Sequence, residues 1–539
     1  MNDGVEERAM RQLAMPEDYW ENFQITERDI EILYNHLLEI ETPQTTQELL
    51  GVLIAERIRL EKKAMEKKLG TGPAVYTPER IYSPGDSIIL PAFNWIQAKV
   101  VSKRTGQNPA FPDMQVIEVE MDGGERRELA SNLASHKLNE PISFDPDDPY
   151  AQPETVIKQY GKKLTILLED VLVTKEDLVR IAGRWFPRSL LIDVNIGHLN
   201  LAEAILEMAD GGPLSTESLI EQIDLPTDSN SKLTEFSLNL ALQEDPRFDE
   251  VGPSGETLWF LHRLEPEGVK NIPVYLRWSD PEYAHESVEG LSHQFSREVC
   301  DELEPEHEIS EEVTEFSLAL IYPHWRAGTL PLSQHIIHLF PTAYEAPRIR
   351  FLFIDKDNGK QFPGWVVRPG RYVYGLREWY EEAGLIPGSI VHLQKGKQPG
   401  EVIVFAERHR PTREWIRTGL IGTDGGIVFT EQKQNCTAKF NDRLAIYLSD
   451  TTALDKTWEQ GSRSHLPMDK LMHDMMIDIA RLKPQGQVHA EELYAVINLV
   501  RRCPPRMILS VLMNASWAVH LGDLYFRLND GGSVGDLYG

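Results

Sequence analysis

The chain has 539 residues, 41% of them hydrophobic and 26% charged, which is the composition of a folded protein with about three to five domains. Its 55 basic and 84 acidic side chains leave a net charge of −29. That excludes a protein that coats nucleic acid by its overall charge, because phosphates are neutralised by Lys and Arg.

No apolar run is long enough to cross a bilayer. The opening Met1-Asn2-Asp3-Gly4-Val5-Glu6-Glu7 is acidic, lacks an apolar core and does not read as a secretory signal. Cys300, Cys436 and Cys503 are scattered and odd in number, which suits a reducing cytoplasm. A cytoplasmic location is therefore expected.

The predicted elements begin with helix over residues 25–69. Thr26 is an N-cap followed by acidic residues, and Ile30, Leu33, Leu37 and Leu38 form one apolar stripe. The later part of this helical stretch, 57–68, carries six basic residues and two acidic ones. It reads as a solvated face or as a phosphate-contacting helix. The domain it defines, 20–74, is helical, with a winged helix as one reading of it.

Residues 75–140 change character. Pro78, Pro84-Gly85, Pro91, Gly106, Pro109 and Pro112 punctuate short runs of β-formers such as Ser87-Ile88-Ile89-Leu90, which predicts a small SH3-like barrel. A Pro- and Asp-rich linker follows at 145–153. Helix is predicted again over 154–208, ending at Gly211-Gly212, and a strand at Val274-Tyr275-Leu276-Arg277-Trp278. Residues 298–315 hold nine acidic and no basic side chains, and read as a solvated acidic face.

The most patterned segment is 328–410. A mixed strand over 332–340 is followed by strands at 348–354, 362–367 and 371–374. A short helix, 376–384, leads into Leu385-Ile386-Pro387-Gly388-Ser389-Ile390-Val391 and a closing strand at 401–405. Residues 346–418 carry 13 basic and 8 acidic residues, the one clearly basic stretch in an acidic chain. A small β unit, 419–466, and a helix over 468–482 complete the order.

Two stretches repeat. Gly212-Pro213-Leu214-Ser215-Thr216-Glu217-Ser218-Leu219-Ile220-Glu221-Gln222-Ile223 and Gly486-Gln487-Val488-His489-Ala490-Glu491-Glu492-Leu493-Tyr494-Ala495-Val496-Ile497 share four of twelve residues without a gap. Each leads into a second helix and a pair of strands around a glycine, and Trp259 and Tyr525 mark the two closes. These modules, within 154–265 and 467–530, resemble the winged-helix unit of the HARE type. That family implies association with nucleic acid or with RNA polymerase. In the first copy only Asn239 and Gln243 suit base reading, whereas the second offers Arg501, Arg502 and Arg506.

The order of 328–410, with Trp365, Arg371-Tyr372-Val373, Trp379-Tyr380 and the Leu-x-Pro-Gly turn, resembles the B3-like DNA-binding pseudobarrel. The resemblance makes Arg368, Arg371, Lys395, Lys397, Arg408 and Arg410 candidate DNA contacts. A solvated basic β surface is the alternative.

The whole is therefore expected to be an α+β multi-domain protein, with winged-helix modules, an SH3-like small barrel and a B3-like β pseudobarrel. No catalytic constellation is found. Gly531-Gly532-Ser533-Val534-Gly535 has no helix after it to form a nucleophile elbow, and no Gly-Lys pair sits in a phosphate-binding loop. His335 and His338, on a predicted strand, would face opposite ways. No cofactor, metal, membrane or small-molecule substrate is implied. The expected role is non-enzymatic nucleic-acid binding linked to transcription or genome defence, with DNA and RNA polymerase or another protein as partners. The alternatives are an acidic protein-interaction scaffold and the targeting subunit of a restriction system.

Overall fold

The computed structural model describes residues 12–529 except 14, 17, 72–73, 91–92, 94–95, 122–123, 140–142, 145–147, 224, 226–229, 279–290, 292–293, 296–297, 305–312, 399, 423–425 and 461–465. Expectations placed on 1–7, on 305–312 of the acidic stretch, on the start of the 145–153 linker and on 531–535 lie outside the described residues. The protein is mixed α+β with several separate sheets. The chain divides into two compact units, 1–191 and 192–539. No helix among the described residues is long and apolar enough to cross a membrane.

The first unit opens with α1 (Glu27–Ile40). Asp29 accepts from the Thr26 N–H at 2.7 Å and closes a capping box. Strand β1 (Gln44–Thr45) runs into α2 (Thr46–Thr71), where Thr45 and Glu48 cap reciprocally. On α2, Arg57 reaches the buried Asp29 and Arg59 reaches Glu56, so at these positions the basic stretch is engaged within its own unit.

A five-stranded meander follows, antiparallel except for its parallel first pair: β2 (Ala74–Val75), β3 (Ser87–Leu90), β4 (Ile96–Thr105), β5 (Gln115–Met121) and β6 (Arg126–Ser131). Alternation puts Ile88, Leu90, Val100, Ile117 and Val119 into a core of its own. Then α3 (Pro153–Leu172) returns to the α1–α2 core with Leu164, Leu168 and Leu172.

The hairpin β7 (Leu178–Ile181) and β8 (Arg184–Pro187) closes the unit, with sheet order β1-β8-β7. Continuous helix was expected here. The hairpin turns at Ala182 (φ 48°) and Gly183 (φ 73°), the two positive-φ positions that a tight hairpin turn requires.

The order helix, strand, helix, helix, strand, strand occurs twice more in the second unit. One copy is α4 (Ile196–Met208), β9 (Leu214–Ser215), α5 (Thr216–Ile220), α6 (Ser231–Glu244), β10 (Phe248–Glu250) and β11 (Leu258–Leu261). The other is α9 (Met468–Ala480), β22 (Gln487–His489), α10 (Ala490–Val500), α11 (Pro505–Asn514), β23 (Ala518–Gly522) and β24 (Tyr525–Leu528). Their sheet orders, β9-β11-β10 and β22-β24-β23, match that of the first unit. The chain thus holds three copies of one element order. The copy in the first unit escapes a linear reading because the meander separates its second helix from its third.

Strand register gives the equivalences. Gln44 pairs with Trp185, Leu214 with Trp259, and Val488 with Phe526. Trp259 therefore corresponds to Phe526 and not to Tyr525, as the sequence had suggested. The residue one past the N-cap changes in step. Trp185 Nε1 donates to Thr46 Oγ1 at 3.0 Å, and Trp259 Nε1 donates to Thr216 Oγ1 at 3.1 Å and Asn239 Oδ1 at 3.0 Å. Where Phe526 has no N–H to satisfy, Ala490 stands in place of the threonine. A buried indole needs an acceptor and a phenyl ring does not.

Between the two later copies lies a seven-stranded sheet. In spatial order it is β12 (Glu315–Ala319), β17 (Ile390–Lys395), β18 (Glu401–Phe405), β14 (Arg348–Asp355), β15 (Gln361–Val367), β16 (Tyr372–Tyr374) and β13 (Thr329–Pro331). All its pairs are antiparallel except β14–β18. Helices α7 (Tyr322–Ala327) and α8 (Arg377–Glu382) flank it. Ile349, Phe351, Phe353, Val373, Trp379, Val391 and Val404 share its core.

Two expected strands are absent. Residues 332–340 form turns and a short 3-10 helix at Ile337–Leu339, because Leu332, Ile336, Leu339 and Phe340 are buried at helical spacing and do not alternate. Val274–Leu276 is also 3-10, started by Pro273. A two-stranded ribbon follows, β19 (Arg408–Ile421) and β20 (Ile427–Ala438), joined at one edge by β21 (Tyr447–Leu448). β19 runs straight through the expected boundary between 410 and 419.

The matched Trp–Thr pairs carry an expected outcome. Thr46→Ala should cost about 1–3 kcal/mol in urea unfolding by stranding the Trp185 N–H. With Trp185 already Phe it should cost about 1 kcal/mol less. Effects that add to within about 0.5 kcal/mol would show the pair to be uncoupled.

Candidate nucleic-acid interface

The 13 basic side chains of 346–418 are mostly engaged inside the protein. Arg348 Nη1 lies 2.6 Å from Asp249. Lys360 pairs with Glu382 and Arg377 with Glu381. Arg350 packs over Phe260 and Trp365, and Lys356 over Phe405. Arg417 is buried on Glu492 at 2.6 Å.

The sequence-based candidates divide. Arg368 donates to the carbonyls of Tyr344 and Ala346 at 3.2 and 2.9 Å. Arg371, at φ 53°, reaches the Glu304 carbonyl at 3.4 Å. Arg408 sits between Asp355 and Asp357 at 3.7 and 3.4 Å. Lys395, Lys397, Arg410 and Arg413 have exposed side chains and make no side-chain ion pair or hydrogen bond among the described residues.

The candidates also do not converge. Arg408 joins the Asp355 end of β14. Arg368 follows Val367, which pairs with Arg348 at the opposite end, about 23 Å away along the strand. Lys395 pairs with Val402 near the start of β18, whereas Arg408 and Arg410 lie beyond its end.

What does gather is on the β19–β20 ribbon. Its two strands carry five basic and two acidic residues. Register puts Arg413 opposite Asn435 and Trp415 opposite Lys433, on one face because successive strand residues alternate sides. All four are exposed, Trp415 at 65%, and Lys433 Nζ lies 5.4 Å from the indole centroid. The other face buries Ile416 and Cys436 against Ala445. Pro411 falls in the register shift between Arg408 and Thr412, where a missing N–H breaks no ladder bond. That proline, inside a polar run, hides the strand in the sequence, where no element is expected over 411–418. The signal that could have revealed the strand is the exposed Trp415 between alternating polar residues.

Of the C-terminal candidates one belongs to the interior, while Arg501 and Arg506 are half-buried. Arg502 is 1% exposed. Its Nη2 donates to Asp301 at 2.6 Å and Glu302 at 2.9 Å, and its Nη1 to Asn498 Oδ1 at 3.0 Å. It cannot touch a phosphate. Arg501 donates to the Leu466 carbonyl at 2.8 Å, and the Arg506 N–H donates to Glu304 at 3.0 Å. Asn239, offered as a base reader, is buried on Trp259.

The expected solvated acidic face is corrected by the same contacts. Asp301, Glu302 and Glu304 are buried. Their cationic and tyrosine partners Arg502, Arg506 and Tyr494 stand about 200 residues away in sequence, and so are invisible in a local charge count. Tyr494 donates to Asp301, and His324 Nε2 lies 2.9 Å from Glu302 while its Nδ1 lies 2.9 Å from Thr329. Burial alone would raise the Glu302 carboxyl, but the charges of Arg502 and His324 hold it well below the usual range.

Two other clusters bring three ligand-type atoms within 4.8 Å of one another: Asp249, His262 and Glu265, and Glu298, His489 and Glu491. Each already holds an arginine on one carboxylate, Arg348 at 2.6 Å from Asp249 and Arg443 at 3.1 Å from Glu491. The Glu265 carboxylate is fully buried, 3.2 Å from His262 and 3.7 Å from Arg348. Burial and then Asp249 push it up to about 8. Burial, Glu345 and Asp249 push the neighbouring Glu250 to about 7.

Compared with protein-family models, with curated proteins and with solved structures, the chain matches none.

Two outcomes are expected. Arg502→Ala should cost about 3–5 kcal/mol, because it leaves Asp301 buried without a cation and Glu302 with His324 alone. Arg501→Ala should cost under about 1 kcal/mol, and chemical denaturation would show the contrast. Glu265 binds its proton more tightly folded than unfolded, so its contribution is full below about 4.5 and is lost as pH rises through about 8. Glu265→Gln should therefore gain stability relative to the parent between pH 5 and pH 8, by about 1 kcal/mol or more. A pH-independent difference would contradict this.

Proposed function

We propose that this protein is a non-catalytic nucleic-acid-binding protein linked to transcription or genome defence. In this reading the three copies of the helix–strand–helix–helix–strand–strand order are winged helices, the meander is an SH3-like barrel and the seven-stranded sheet is a B3-like pseudobarrel. One observation carries the binding: the free cations Arg410 and Arg413 share the β19–β20 ribbon with Lys433 and an exposed indole. An electrostatic contact of this size is local. Screening over about 8–10 Å lets such a patch act inside a chain of net charge −29.

A second reading, the acidic protein-interaction scaffold, is favoured by the internal pairing of most cations in 346–418. The two readings separate at low salt. The full chain should bind labelled oligonucleotides weakly, and weaken further with salt. About three phosphate contacts on a duplex give a log–log slope near −3. Replacing Arg410, Arg413 and Lys433 together by Ala should remove that binding, while Arg368→Ala with Arg371→Ala should leave it. Absence of binding to any nucleic acid at low salt would leave the scaffold reading.

A further inference from the structure

The exposed face of the ribbon is built unlike a surface that only tracks a backbone. Cations alone suffice for phosphates, and sequence-independent duplex binding needs no aromatic group. Here the central side chain is Trp415, 65% exposed. The ribbon does not need it for packing, because the opposite face already supplies Ile416 and Cys436 to the core. Arg413 lies two residues before it on the same face, about 7 Å along the strand. Asn435 stands opposite Arg413 and Lys433 opposite Trp415. Glu431, exposed and two residues from Lys433 on that face, bounds the strip.

We infer that the ligand of this face is single-stranded nucleic acid, with one base stacked on Trp415 and the flanking phosphates held by Arg413 and Lys433. The inference rests on the nucleic-acid reading above and names its substrate class. In a duplex the faces of interior bases are covered by their neighbours, so an indole on a flat ribbon has nothing to stack on. In a single strand every base offers a π-face, and stacking tolerates any sequence. Asn435 offers a donor and an acceptor beside the stacked base. Deoxyribose and ribose strands present the same ring face, so the recognised chemistry is the unstacked base with its phosphates.

The test uses the full chain and fluorescence anisotropy at low salt, with labelled dT12, rU12, a mixed-sequence single strand of twelve nucleotides and a duplex of the same length. Single strands should bind at least about tenfold more tightly than the duplex, whichever sugar is preferred. Trp415→Ala should weaken single-strand binding about five- to 150-fold, and Trp415→Phe should retain most of it. The single-strand salt slope should be near −0.7 per phosphate contact. Thermal unfolding of Trp415→Ala close to that of the parent shows that the loss is not one of folding. Duplex binding as tight as single-strand binding, or Trp415→Ala binding like the parent, would overturn the inference while sparing the nucleic-acid reading. No binding to any of the four would overturn both.

Discussion

The guanidinium of Arg502 is the constraint on which the second unit depends. It is fully enclosed between Asp301 and Glu302 and shares Asn498 with the Cys503 N–H. Through Glu302 it meets His324 on α7, the helix between β12 and β13 of the seven-stranded sheet. Through Asp301 it meets Tyr494 on α10. Three stretches far apart in sequence are thus pinned by one cation. Such a cluster is weak evidence for net stability, since desolvating each charge costs several kcal/mol. Its effect is on specificity: a shifted packing of the sheet against the last copy would strand two carboxylates in the interior.

The same logic governs the charge distribution. Among the described residues of 346–418, nine of thirteen cations are held by carboxylates, carbonyls or aromatic rings, and a local excess of +5 in sequence yields only four free side chains. Charge counted along a chain measures composition. Charge available to a ligand is what remains after folding pairs it. On the ribbon the remainder is concentrated at Arg410, Arg413 and Lys433, where the outer face lies open, whereas farther along the same face Arg417 is buried on Glu492.

Local signals explain what was legible. The capping residues Thr26, Thr45, Ser215 and His489 each precede a helix, and the apolar stripe of α1 is buried as periodicity requires. The second-unit repeat was readable because its members run without interruption. The copy in the first unit was not, since α2 and α3 are separated by a folded meander and no window contains both. Strand assignments failed at 274–278 and 332–340, where short apolar runs fit either period. Of the candidate contacts, Lys395, Lys397 and Arg410 face solvent, whereas Arg502 does not. Nothing in Arg501-Arg502-Cys503 distinguishes the buried arginine from its neighbour until Asp301 is brought against it.

The three copies also show how one backbone order is kept while its interior chemistry is exchanged. In two copies an indole on the last strand is answered by a threonine opening the second helix. In the third a phenyl ring is answered by alanine. The exchange is self-consistent because each polar group retains a partner or is lost with it. The third copy gains apolar contact in return, and all of α10 from Ala490 to Val500 is buried. A helix enclosed on every side has no face to offer a groove. Arg502, just past its end, is drawn inward, whereas Arg501 and Arg506 are half-buried, so among the described residues of the second unit the exposed cations beside an exposed indole are those of the ribbon and not those of the last helix pair.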